Sequence, residues 1–199
     1  MIAAARRRAR ALAGDHRGAT LVEFAIVSPV LMIMLMGLFD LCHQMYAQSI
    51  LEGAVQKAGR DSAIEGGADR VTDLDGKVYA MVKQIARGST YVTSRKSYTS
   101  FSNVKPEPFT DTNNNGRRDA KECFEDVNGN KNWDADPGRN SQGGADDVTL
   151  YTFTLTYPRL FPAAGLIGLP SDNTITASTL LKNQPYARRF TSAVQTVCT

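Results

Sequence analysis

Histidine and cysteine, which most often serve as catalytic bases, nucleophiles and soft-metal ligands, are scarce in this chain of 199 residues. The two histidines are His16 and His43, and no nucleophile with a base in reach is visible in the sequence. Cys42, Cys123 and Cys198 lie far apart and form no CxxC motif for a metal or a redox reaction. We therefore expect a protein that is not an enzyme.

An excess of positive charge is also missing from most of the chain, although the formal net charge is +3. The first 18 residues contain a single acid, Asp15, and five arginines, which are Arg6, Arg7, Arg8, Arg10 and Arg17. The remaining residues include 18 basic and 19 acidic side chains. This balance gives no electrostatic reason to expect nucleic acid as a partner.

One long apolar run is present, from Ala19 to Phe39, and its only charge is Glu23. At about 1.5 Å per residue, a helix of this length spans a hydrocarbon core of about 30 Å. Arginines precede the run and Asp40 follows it, an asymmetry that keeps the N-terminus in the cytoplasm and exports the rest. The predicted organisation is a basic cytoplasmic leader at 1–18, a single transmembrane helix at 19–41 and an exported domain at 42–199.

Three interpretations of this segment compete. A secretory signal peptide lacks its cleavage site, because no small-x-small pattern follows the run. A plain signal anchor leaves Glu23 unexplained, since a carboxylate inside an apolar helix costs about 2 to 3 kcal/mol near the bilayer centre. In the third interpretation, Gly18, Ala19 and Glu23 resemble the processing site of type IV prepilins and pseudopilins, which are cut after the glycine. The resemblance implies cleavage by prepilin peptidase between Gly18 and Ala19, and makes Glu23 the assembly contact with a neighbouring subunit's amine.

The wider stretch RGATLVEFAIVSPVLMIMLMGLFDL resembles the TadE family of the tight-adherence (Flp) pilus system. The segment from Lys182 to Tyr186 is similar to the C-terminal ending of that family. The resemblance implies a minor pilin, a pseudopilin-like component or an assembly factor in a bacterial inner membrane, with other pilins or pilus-assembly proteins as partners. Pro29 is either part of this resemblance or a kink of the kind that membrane helices tolerate.

The patterns after the membrane segment predict an α+β fold. Apolar or small residues recur with helical spacing and predict that the first helix continues outward with its stripe in the core. These residues are Leu41, Met45, Ala47, Ile50, Leu51, Ala54, Val55 and Ala58. Gly66 and Gly67 are expected to end this helix, and a second helix is expected from Asp73 to Arg87, with Thr72 and Asp75 as a capping pair and Gly88 as a stop.

Period-two alternation predicts strands at Tyr151–Tyr157 and Ile175–Leu181, and a weaker one at about Lys96–Val104. The predicted domain is therefore a pilin-like pair of helices with a small antiparallel sheet. A long acidic insert rich in Asn, Asp and Gly interrupts it at residues 106–147.

The insert contains DTNNNGRRDAKE, from Asp111 to Glu122, which matches the calcium-loop pattern D-x-[DN]-x-[DN]-G-x5-E. In such a loop the oxygens of alternate residues converge on one hard cation, and the last acid closes the shell with two oxygens. The candidate ligands are Asp111, Asn113, Asn115, the Arg117 carbonyl, Asp119 and Glu122.

The spacing repeats 15 residues later, with candidate ligands Asp126, Asn128, Asn130, Asn132, Asp134 and Asp136. This second loop has Lys131 where glycine is wanted and Pro137 where a bidentate acid is wanted. We therefore expect the second loop to bind the cation more weakly, or to use Asp136 or Glu125 as the missing acidic ligand. The two loops resemble dockerin or thrombospondin type repeats, and the resemblance implies calcium as a structural cofactor.

Several alternatives remain open at this stage. The insert could instead be a solvated polar loop without metal. Cys123 and Cys198 could form a disulfide in an oxidising compartment or remain free thiols. Trp133 could belong to a small satellite core under the loops or contact a partner. The whole chain could also be a signal-anchored, calcium-stabilised envelope binding or adhesion domain that is not part of a pilus.

Overall fold

The computed structural model describes residues 18–64, 70–161, 165, 168–185 and 194–198. The basic leader before Gly18, the pair Gly66 and Gly67, and Tyr186 lie outside the described residues. The helices are α1, Ala19–Ala63, and α2, Val71–Lys83. The strands are β1, Thr90–Tyr98; β2, Cys123–Asp126; β3, Val148–Pro158; β4, Asp172–Lys182; and β5, Gln195–Cys198. The α+β prediction is confirmed.

The chain divides into two compact units. The first contains residues 1–43 together with the connection 159–171 between β3 and β4, and the second contains residues 44–158 and 172–199.

Helix α1 is continuous over 45 residues and contains Pro29. In its first part the large apolar side chains are exposed, from Leu21 to Tyr46, and within the described residues this is the one helix long and apolar enough to cross a membrane. One face of its later part is buried, as the apolar stripe predicts from Ala47 onward. Leu41 and Met45 are exceptions to that prediction, because both are mostly exposed. The helix therefore changes from an apolar surface to a core-forming one along its length.

The core of the second unit lies between α1, α2 and one face of a three-stranded antiparallel sheet of order β1-β3-β4. Side chains of β3 alternate between buried and half-buried, as period two requires. The largest fully buried apolar side chains of this core are Tyr151, Tyr157, Phe153, Leu51, Leu155, Val55, Val78 and Val82.

Gly59 allows α1 to lie close to β4. A Cβ atom at this position would be 2.7 Å from Cγ2 of Thr179 and 2.9 Å from Cδ2 of Leu181. Real Cβ atoms essentially never come this close to another atom, so only glycine fits without movement of the Thr179 and Leu181 side chains.

Two boundary predictions are wrong. The weak strand is β1, Thr90–Tyr98, because the backbone of these residues pairs with β3, and Phe101–Asn103 instead form a 3-10 turn. Helix α2 ends at Lys83 rather than Arg87. After it the turn tightens, because the Ile85 N–H donates to the Val82 carbonyl, three residues earlier instead of four.

The predicted capping pair of α2 is also wrong. The helix begins at Val71 after Arg70 and has no side-chain cap, so Thr72 lies inside its first turn. The carboxylate of Asp75 turns toward β1 and accepts hydrogen bonds from Arg95.

Candidate functional sites in the insert loops and the N-terminal helix

In the first insert loop, the side chains with calcium-loop spacing converge. The Asp111 carboxylate accepts hydrogen bonds from the N–H groups of Asn115, at 3.2 Å, and Gly116, at 2.7 Å. The side-chain amides of Asn113 and Asn115 both donate to the same oxygen of Asp119, at 2.8 and 2.7 Å. Three side chains that the motif assigns to one cation therefore meet at one point.

Glu122 closes the first loop from the other side. One carboxylate oxygen accepts from the Thr112 N–H at 2.8 Å, and the other accepts from the Asp119 N–H at 2.9 Å. These two backbone donors hold the pKa of Glu122 below its usual value, so the group is a carboxylate at neutral pH. The last acid of the motif thus links the start of the loop to its end.

The second loop repeats the geometry of the first. The Asp126 carboxylate accepts from the N–H groups of Asn130, at 3.2 Å, and Lys131, at 2.7 Å. The side-chain amides of Asn128 and Asn130 donate to one oxygen of Asp134, at 2.7 and 2.6 Å. Each contact has its counterpart 15 residues earlier.

The backbone repeats as well. Gly116 has a φ of +74°, and Lys131 at the corresponding position has a φ of +64°. A residue with a Cβ atom in this left-handed conformation costs about 1 kcal/mol. The departure from the motif at Lys131 therefore strains the second loop without changing its path.

The acid that closes the second loop is Glu107, which the sequence motif does not include. One oxygen accepts from the Val127 N–H and the other from the Asp134 N–H, both at 2.9 Å. These donors correspond to Thr112 and Asp119 in the first loop, so Glu107 stands where Glu122 stands. Its side chain is 1% exposed.

Neither residue expected to supply this acid does so. Asp136 accepts hydrogen bonds from Tyr98, at 2.8 Å, and from Lys96, so its carboxylate is turned to β1. Burial and Asp136 together raise the pKa of Tyr98 to about 12. Glu125 is an exposed residue of β2. Sequence reasoning missed Glu107 because it precedes Asp126 by 19 positions, and its only local signal is an acid placed between Pro106 and Pro108.

Both loops lie over a small apolar cluster. Phe124 and Val127 are buried, and the rings of Phe109 and Trp133 meet edge to face at 6.1 Å between centroids. The Trp133 indole donates to the Glu107 carbonyl at 2.9 Å. Trp133 is therefore part of a satellite core, the first of the two sequence alternatives.

Cys123 and Cys198 form a disulfide in the structure, across the antiparallel pair β2 and β5. Because Cys123 directly follows Glu122, the bridge attaches the C-terminal strand beside the first loop. Cys42 is a free, exposed thiol on α1.

No three His, Cys, Asp or Glu side chains come together as a metal-holding group anywhere in the described ranges. In each loop two Asn side chains donate to one carboxylate, that of Asp119 or Asp134, and their amide N–H groups fill the point of convergence. The residues fit a hard cation by their oxygen chemistry, provided that the amides turn their oxygens inward.

At the other candidate site, α1 begins at Ala19, directly after Gly18. Glu23 is exposed among exposed apolar neighbours and belongs to the helix. The structure thus presents an isolated carboxylate one turn into an apolar helix.

Comparison with known proteins gives one match. Residues 18–60, 43 of the 199 residues, match the family model described as TadE-like protein. No curated protein and no solved structure matches the chain. The matched residues end before the insert, so its likeness to dockerin or thrombospondin type repeats has no support from these comparisons. The chain is therefore similar to TadE-like proteins along α1, including Gly18, Glu23 and the candidate membrane span.

Proposed function

We propose that this chain is a minor pilin or pseudopilin-like component, or an assembly factor, of a bacterial tight-adherence pilus. The observation that carries the proposal is the TadE-like match, which coincides with an exposed apolar helix. In this proposal the helix spans the inner membrane once, the N-terminus is cytoplasmic and the remaining domain is exported. The chain has no catalytic role, and its partners are the membrane, other pilins or pilus-assembly proteins, and prepilin peptidase.

Prepilin peptidase cuts between Gly18 and Ala19 in this proposal, and the new amine at Ala19 carries a positive charge. Glu23 then pairs with the amine of a neighbouring subunit. Such a pair offsets the cost of an exposed carboxylate in lipid, because the attraction between the two charges compensates for their lost hydration.

The first experiment is the intact mass of the protein purified from its native membrane, with and without prepilin peptidase. We expect a chain that begins at Ala19 only when the peptidase is present. A chain that keeps residues 1–18 in both strains would refute the processing step. It would favour the alternative of a signal-anchored, calcium-stabilised envelope domain. The insert lies outside the TadE-like match, which supports this alternative.

A second experiment tests Glu23 directly. Glu23→Gln should reduce recovery of the chain with its assembly partners by at least about tenfold, since loss of one charge pair in lipid is worth more than about 1.4 kcal/mol. Glu52→Gln is the matched control, because Glu52 is an exposed acid of the same helix and accepts a hydrogen bond from Gln48, one turn earlier. Equal recovery of both variants would argue against the assembly contact.

We also propose that each insert loop binds one calcium ion as a structural cofactor. The support is the repeated motif spacing, the convergence of the Asn113, Asn115 and Asp119 side chains, and its repetition in the second loop. A cation in each loop neutralises a buried carboxylate, Glu122 in the first loop and Asp126 in the second, with Glu107 as the closing acid of the second loop. Exported modules of this kind bind calcium with dissociation constants of about 0.1 to 1 mM, which suits a site that stays filled outside the cytoplasm.

Isothermal titration of the full chain with calcium tests this proposal. We expect two ions per wild-type chain, and one for either Glu122→Gln or Glu107→Gln. Glu125→Gln and Asp136→Asn are the controls, because these acids lie nearby without closing a loop. Absence of calcium binding to the wild type would refute the metal proposal. Two ions with Glu107→Gln would refute only the role of Glu107.

A further inference from the structure

The connection between β3 and β4 is unusually long and apolar. Residues 159–171 join two paired strands, although hairpin loops commonly contain about two to five residues. From Leu160 to Ser171 the sequence contains no charged side chain. Its large apolar residues are Leu160, Phe161, Leu166, Ile167 and Leu169.

The described apolar side chains of this connection are not fully buried. Leu160 is 55% exposed and Leu169 is 47% exposed, and Phe161 is half-buried. Single exposed leucines are ordinary, but Leu160 and Leu169 lie in one uncharged segment, and their exposure to water is unfavourable.

The position of the connection indicates what covers it. It belongs to the same unit as residues 1–43. The Arg159 guanidinium lies 2.5 Å from the Asp40 carboxylate, and the Leu160 N–H donates to Asp40 at 3.3 Å. Both charged side chains of the pair are largely buried, at 17% and 10% exposure. Asp40 is the first charged residue after the apolar run, so the connection begins at the level where the candidate span ends.

We propose that the described ends of this connection, residues 159–161 and 168–171, form a second membrane contact, in which Leu160 and Leu169 enter the lipid interface beside the end of the span. The proposal rests on α1 as a membrane helix. The lipid surface that covers the exposed Leu38, Phe39 and Leu41 continues over Leu160 and Leu169, and no separate partner is required. The Asp40–Arg159 pair removes net charge from the interface, where an unpaired charge would oppose insertion.

Tryptophan quenching by lipid in reconstituted vesicles tests the contact. The full chain is placed in phosphatidylcholine vesicles with brominated acyl chains, and Leu169→Trp or Leu160→Trp is introduced after Trp133→Phe has removed the only native tryptophan. Val30→Trp in the same background reports on insertion of the span, because Val30 is an exposed residue within it. The wild type, with Trp133 alone, provides the baseline, and circular dichroism checks that each variant is folded.

We expect quenching of the two loop tryptophans within about twofold of that of Val30→Trp, as for side chains buried in the headgroup and acyl boundary. Strong quenching at position 30 with baseline quenching at both 160 and 169 would overturn the membrane contact alone. Baseline quenching at all three positions would overturn the membrane span on which it rests.

Discussion

At the scale of single residues, the Asp75 carboxylate of the second unit is held by several side-chain hydrogen bonds. It accepts two hydrogen bonds from the Arg95 guanidinium, at 2.9 and 2.5 Å, one from the Tyr151 hydroxyl at 2.6 Å and one from Thr93 at 3.1 Å. Arg95 also lies over the Tyr151 ring at 4.1 Å. This buried group joins α2 to β1 and β3.

Asp75→Asn should lower the free energy of unfolding by about 3 to 5 kcal/mol, because it leaves the Arg95 charge buried without its partner. Urea unfolding of the detergent-solubilised chain, followed by near-ultraviolet circular dichroism of the tyrosines, measures the change. Asp73→Asn is the matched control: Asp73 pairs with Lys77 at an exposed position of the same helix, so its loss should cost less than about 0.5 kcal/mol. Similar losses for both variants would contradict the central role of Asp75.

The same carboxylate predicts a pH dependence. Burial alone would raise the pKa of Asp75, but Arg95, Tyr151 and Thr93 outweigh it and hold the pKa below the usual 3.8. The unfolded chain therefore binds the proton more tightly, and the stabilisation is present above the usual pKa and is lost as pH falls through the lower folded value. We expect the stability difference between wild type and Asp75→Asn to be constant from about pH 5 to 7 and to shrink below about pH 4. If the stability difference between wild type and Asp75→Asn instead grew on acidification, the pKa of Asp75 would be raised in the folded chain rather than lowered.

At the scale of elements, the contact of α1 with β4 depends on Gly59. Gly59→Ala should lower the melting temperature, because overpacking against Thr179 and Leu181 costs about 1 to 3 kcal/mol and exceeds the helix-propensity gain of alanine. Gly53→Ala on the same helix meets nothing within 4 Å and should instead stabilise by about 0.5 to 1 kcal/mol. Stabilisation by both variants would mean that α1 and β4 are not in close contact.

The stability of the strand pair β2 and β5 depends on the disulfide between Cys123 and Cys198. The two strands are four residues each, and the bridge joins positions 75 residues apart. Cys198→Ser should cost about 4 kcal/mol in the loop-entropy picture, because a long closed loop is released in the unfolded chain. Urea unfolding gives the loss, and Cys42→Ser, at the exposed free thiol, should leave stability unchanged. A stable, unchanged Cys198→Ser protein would imply that the strand pair holds without the bridge.

At the scale of the whole molecule, the insert should be the part that responds to calcium. Its loops contain little apolar surface outside the Phe109, Phe124, Val127 and Trp133 cluster, so a bound cation has a large share in ordering them. Chelation should therefore open the insert to trypsin at Arg117 and Lys131, both exposed, at least about tenfold faster. Mass spectrometry of the fragments identifies the cuts, and Arg87, outside the insert, is the control site. Cleavage rates that are the same with and without calcium would contradict a structural role for the ions.

The sequence by itself determined the features that depend on neighbours along the chain. The candidate span follows from a run of 21 residues whose only charge is Glu23. The β3 and β4 strands follow from alternation, and the path of each loop follows from Asp, Asn and Gly at short fixed intervals. These features are local, because each residue is positioned by others within a few positions of it.

Only the tertiary structure decided the features that bring distant residues together. Glu107 reaches the second loop across 19 positions, β1 takes its register from β3, and Arg159 meets Asp40 from a connection more than a hundred residues away. No spacing rule predicts such contacts, since folding selects among many acids and strands of similar composition by packing and burial. The patterns of the chain thus specify its elements, and the core specifies which of their side chains meet.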